Sequence, residues 1–160
     1  MTDEKKKQYT LRISNANRTG LIVIIYDMLD DYMEDARKAA ERGEEGLLDL
    51  QSALRHIRAC VRELSESLDF RYSPSMELFS LYRYVDRELA RAQRKNSVEP
   101  LVLVDRVMSE LKEAFVAVAE KDTSPALMEN AQVVYAGLTY GKNNLNVNLT
   151  DQGSDRGFRV

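Results

Sequence analysis

The sequence predicts an all-α fold: an antiparallel four-helix bundle with a short fifth helix, an extended N-terminal arm and a C-terminal tail. Three observations carry that expectation. Apolar residues recur at alternating spacings of three and four in four successive segments, the period of a helix with one buried face. The breaks between the segments are short and hold Gly, Pro, Asn and Ser, so neighbouring helices should run antiparallel. A chain of 160 residues, 44% of them hydrophobic, suits one domain. A domain of that size encloses about 68–70% of its unfolded surface and holds a core without disulfides or metals.

The elements follow in order. Residues 1–17 are expected to be the arm, because Tyr9, Leu11 and Ile13 alternate with Thr10 and Arg12, the period of an extended segment with one apolar face. Residues 18–122 are expected to be the bundle. Its first stripe is Ile22, Ile25, Leu29, Tyr32, Ala36 and Ala39, with Asn17 as the cap. Gly43 and Gly46 interrupt the run, and Leu47, Leu50, Leu54, Ile57, Val61, Leu64 and Leu68 form the second stripe. Ser73 and Pro74 read as a cap and first helical residue ahead of Leu78, Tyr82, Val85, Leu89 and Ala92. Asn96 and Ser97 end that helix, and Pro100 sits in the first turn of the next, which carries Leu101, Val104, Met108, Leu111, Phe115 and Val118. Residues 123–137 are expected to be the fifth helix, capped by Ser124, begun by Pro125 and ended by Gly137. Residues 138–160 read as extended or disordered, with Leu145, Val147 and Leu149 alternating with asparagines. That pattern suggests a strand able to cover an apolar groove in cis or on a neighbouring molecule.

Charge is balanced, with 23 basic and 26 acidic residues and a net charge of −3. A nucleic-acid or anionic-membrane binder would carry a surplus of Lys and Arg. No apolar run is long enough to cross a bilayer, and the opening residues lack the apolar stretch of a signal peptide. A cytoplasmic location is expected, and the single cysteine, Cys60, suits a reducing compartment.

No constellation for catalysis, a metal or a cofactor is visible. His56 is the only histidine, so a di-iron site with two Glu-x-x-His pairs is excluded. One thiol cannot build a thiolate zinc site within one chain. No phosphate-binding glycine loop lies between a strand and a helix. His56 beside Arg58 leaves a phosphotransfer bundle as an alternative, although a partly buried helix histidine is the simpler reading. Cys60 reads as a small packing residue. Asp27, Asp31, Glu34 and Asp35 share one face and read as solvated. So do Arg83, Arg87, Arg91 and Arg94, with Arg55, Arg58 and Arg62 on the preceding helix; their density makes an acidic partner the minority reading. Surplus apolar residues (Val23, Ile24, Met28, Phe79, Leu81, Tyr84, Val102, Leu103, Val107, Ala114) imply either a thicker core or an exposed groove covered by a partner or an arm.

Four short patterns in a fixed order resemble the flagellin-specific export chaperones, the FliS family, over residues 8–120. These are Tyr9, Ile13 and Ala16 ahead of the first helix; the run Leu21 to Tyr26 followed by Asp27; Glu63-Leu64 with Ser67-Leu68-Asp69; and Leu78, Leu81, Tyr82 and Tyr84. The chain departs from the family pattern at Glu77, where asparagine is frequent, at Gln93 after Ala92, where asparagine is usual, and at Phe115, where tryptophan is usual. The resemblance implies a chaperone that holds the disordered C-terminal segment of flagellin, blocks premature polymerisation and presents the subunit to the flagellar export gate of the type III apparatus. It implies that the N-terminal arm can lie over the binding groove. Tyr9, Ile13, Ala16, Ile22, Tyr26, Leu68, Leu78, Leu81, Tyr82 and Tyr84 are the candidate client-binding or arm-docking residues. A bundle that self-associates through its apolar stripes is the remaining alternative.

Overall fold

The computed structural model describes residues 2–128. Five helices occupy them: α1 Asp3–Ser14, α2 Arg18–Glu41, α3 Leu47–Glu66, α4 Pro74–Lys95 and α5 Leu101–Ala119, with a 3-10 turn over Gly43–Gly46. Among the described residues the fold is all-α, as the periodicity predicts.

Helices α2 to α5 close a ring in which α2 packs on α3 and α5, and α4 packs on α3 and α5. Cross-helix contacts fix the antiparallel sense. Asp30 and Arg37 of α2 meet Lys112 and Asp105 of α5, while Gln51 and Arg58 of α3 reach Gln93 and Asp86 of α4. The interior is apolar, with Leu29, Leu54, Ile57, Val85, Leu89 and Val104 enclosed.

The breaks act where the sequence placed them. The Asn17 side chain accepts from the Gly20 N–H at 2.8 Å and starts α2. Asn96 adopts the left-handed conformation, φ 50°, that closes α4. At Gly46 a Cβ would lie 1.8 Å from the Ala39 carbonyl oxygen, so only glycine lets α3 begin so close to the end of α2. Ser73 precedes Pro74 at the first helical position but makes no capping bond; the Ser75 hydroxyl instead donates to the Asp69 carbonyl at 2.6 Å.

Two expectations are corrected. Residues 1–17 are not an extended arm, because Asp3–Ser14 is helical. Thr2 accepts from the Lys5 N–H, Asp3 and Glu4 occupy the first turn and Arg12 the last, all favourable to the helix dipole. Tyr9 and Ile13 are four apart as well as alternating with polar residues, and packing on α2 selects the helical period. The beginning of the expected fifth helix is also absent: residues 122–128 contain no helix. Their backbone is committed elsewhere. The Asn17 side-chain amide donates to the carbonyls of Asp122 and Ser124, each at 3.2 Å, and the Leu127 N–H donates to the Ala16 carbonyl at 3.0 Å. Residues 129–137 of that expectation, and the tail 138–160, lie outside the described residues.

Stripe membership shifts at the edges. Leu47 and Val118 are exposed, whereas Tyr26 and Met33 are buried. Helix α2 packs on three helices, α1, α3 and α5, so its buried face is wider than one stripe.

Candidate partner-binding site

The candidate site is built around the N-terminal half of α2, and α1 lies along it antiparallel. Two carboxylates make the dock. Asp31 accepts from Lys5 Nζ at 2.6 Å and from the Tyr9 hydroxyl at 2.8 Å. Asp27 accepts from the Arg12 guanidinium on one side and forms an ion pair with Lys112 of α5, at 2.6 Å, on the other. Lys112 also donates to Asp30 at 2.7 Å, which ties α5 to the same acidic edge. Arg12 further stacks 5.4 Å from the centre of the Tyr9 ring.

The electrostatics follow from these pairs. Burial opposes ionisation of Asp27, but hydrogen bonds from Lys112 and Arg12 outweigh it and hold the carboxyl below its ordinary range. Burial, followed by the hydrogen bond to Asp31, pushes the Tyr9 phenol up, so its hydroxyl stays a donor.

Beneath this face, the Tyr26 and Tyr82 hydroxyls meet at 2.7 Å, joining α2 to the diagonally opposed α4. The Phe115 ring lies 5.6 Å from that of Tyr26, tilted by 32°. Burial pushes both phenols up. A polar pair in an apolar core is tolerated because one hydroxyl donates to the other, so each oxygen has a hydrogen-bond partner.

The ten candidate residues therefore divide. Tyr9, Ile13 and Ala16 belong to α1 and its connection to α2; Tyr9 is buried and Ile13 half-buried. Tyr26 and Tyr82 are brought together in the core and face each other, not solvent. Ile22, Leu68, Leu78 and Tyr84 are half-buried against that core. Leu81 is 38% exposed. The surplus apolar residues divide likewise: Ile24 is buried and Met28, Tyr84 and Val107 thicken the core, while Val102 and Leu103 are exposed.

Sequence reasoning missed the dock itself. Asp27 and Asp31 read as a solvated face, although their spacing of four opposite a basic N-terminal segment (Lys5, Lys6, Lys7, Arg12) was the available signal. His56 is exposed; its Nδ1 donates to the Ser52 carbonyl at 2.8 Å and its ring stacks 4.7 Å from that of Tyr32. Cys60 is buried, and burial pushes its thiol up to about 11. Among the described residues no group of three or more His, Cys, Asp or Glu could hold a metal, and no helix is long and apolar enough to cross a membrane.

The family model described as flagellar protein FliS matches residues 1–122. The comparison with curated proteins gives no match.

Proposed function

This chain belongs to the flagellar protein FliS family, and from that premise we propose that it binds the disordered C-terminal segment of flagellin, prevents its premature polymerisation and delivers it to the flagellar export gate. It works in the cytoplasm by binding alone, with neither catalysis nor a cofactor, and uses neither nucleic acid nor membrane insertion. One observation carries this reading: among the described residues α1 packs on a single helix and is held by side-chain contacts to Asp27 and Asp31. Contacts of that kind are individually weak. A helix fixed in this way can leave without opening the ring.

In this reading Tyr9, Ile13 and Ala16 belong to the displaceable segment. Ile22, Leu68, Leu78, Leu81 and Tyr84 supply apolar contact to the client, and Tyr26 and Tyr82 form the rigid floor beneath. A disordered client loses conformational entropy on ordering, so it must cover a large apolar surface to bind usefully.

Calorimetric titration with a peptide spanning a flagellin C-terminal segment tests the proposal. The expected result is one-to-one binding with a large negative heat-capacity change. Deleting residues 1–16 should tighten it. Absence of binding by folded protein would overturn the flagellin reading, and unchanged affinity after the deletion would remove α1 as a competitor.

A further inference from the structure

On the other side of the ring, α3 and α4 enclose an open groove of about 470 Å³. Arg55, Arg58, Arg62 and Arg83 line it, and Asp86 is the one carboxylate among the described lining residues. Arg58 cancels that charge with a forked contact, Nε to Asp86 Oδ1 at 2.8 Å and Nη2 to Oδ2 at 3.2 Å, while its Nη1 donates to the Gln93 side chain at 2.9 Å. Among the described residues Arg62 reaches only Glu66 of its own helix, at 3.8 Å with both side chains exposed. Arg55 and Arg83 are exposed and make no hydrogen bond or ion pair to another described residue. The groove therefore carries a local positive charge in a chain whose net charge is −3.

We propose that this groove docks an acidic polypeptide segment. A guanidinium presents two parallel donors that match a carboxylate, and the Arg58–Asp86 contact already displays that geometry inside the groove. Toward the α3–α4 loop, Phe79 stands one helical turn before Arg83, and its ring meets half-exposed Phe70 edge-on at 5.6 Å. An acidic segment carrying an apolar residue would use both features. Nucleic acid would require an overall basic surplus extending along the surface, and this chain has 26 acidic residues against 23 basic ones. None of the described lining residues belongs to α1 or to residues 120–128, so among the described residues the groove stays uncovered whether or not α1 is docked. The inference is independent of the flagellin reading.

The test is fluorescence anisotropy of a labelled oligoglutamate peptide carrying one leucine, titrated at low salt with the full chain. The chain and an Arg106→Glu control, altered at an exposed site on α5, should bind it alike. The Arg55→Glu/Arg83→Glu variant should bind about tenfold more weakly, as expected for loss of complementary charge at a contact. If that variant fails to fold, Arg55→Gln/Arg83→Gln should show a smaller loss in the same direction. Absence of binding to the unaltered chain, equal loss in the Arg106→Glu control, or unchanged binding in the groove variants would overturn the proposal. So would an oligothymidylate binding as tightly with the same dependence on Arg55 and Arg83, which would mark a general anion surface.

Discussion

In the ring, Leu29, Leu54, Ile57, Val85 and Leu89 are fully enclosed between helices, whereas among the described helices α1 rests on α2 alone and its best-buried apolar residue, Tyr9, is fixed by a hydrogen bond to a carboxylate. Enclosing one large aliphatic side chain contributes about 1.5–3 kcal/mol. An exposed ion pair contributes about 0.2–1 kcal/mol. The two regions are thus held on different energy scales, which is what a rigid platform with a removable cover requires. The carboxylates of the dock also face two ways. Asp27 serves Arg12 of α1 and Lys112 of α5, so it keeps a partner within the ring when α1 departs.

The comparison can be broken most forcefully at Leu54. Leu54→Ala should cost about 2–5 kcal/mol, read as a lower urea midpoint, with α1 still docked. A loss below about 1 kcal/mol would mean that the ring is not close-packed there.

Tyr26→Phe comes next. It leaves the Tyr82 hydroxyl buried without its partner and should cost about 1–3 kcal/mol, most of which the Tyr26→Phe/Tyr82→Phe double variant should recover. A double-mutant cycle measures this, and simple additivity would show that the hydroxyl pair does not join α2 to α4.

Asp31→Ala should have the converse effect. It removes the acceptor for both Lys5 and Tyr9, so trypsin should cut faster after Lys5, Lys6 and Lys7 while the unfolding free energy of the ring, from urea titration, changes by less than about 1 kcal/mol. An unchanged cleavage rate would mean that apolar packing of Tyr9 and Ile13 holds α1 without the charges.

Acidification should produce the smallest effect. The Asp27 carboxyl is held below its ordinary value of 3.8, so its stabilisation is fully present above that pH and is lost as the pH falls below it toward the folded value. Resonances of the Ile13 methyl groups should therefore report loosening of α1 only below pH 3.8, not near neutrality.

The four ring helices were legible because each carries enough apolar residues at helical spacing to enforce its own period, and because Asn17, Gly46 and Asn96 act locally through a cap, a close approach and a left-handed turn. α1 was not legible in the same way. A helix of 12 residues is marginal by itself, and Tyr9, Leu11 and Ile13 fit two periods until a neighbour chooses one. At the candidate site, the patterns around Tyr9, Tyr26, Leu68 and Tyr82 could be read in the chain, but the exposure of each could not. Tyr82 lies on the buried stripe read from the sequence and Tyr26 lies off its own, yet the diagonal of the ring pairs them inside.

What the sequence by itself determined is the all-α ring, its breaks and the family to which the chain belongs, since periodicity and caps are properties of neighbours along the chain. Only the tertiary structure decided that α1 is a helix, that Asp27 and Asp31 are its dock and that the arginines of α3 and α4 share one groove. Those outcomes depend on which charged faces meet across helices, and a stripe of charge carries no record of its partner until the chain has folded.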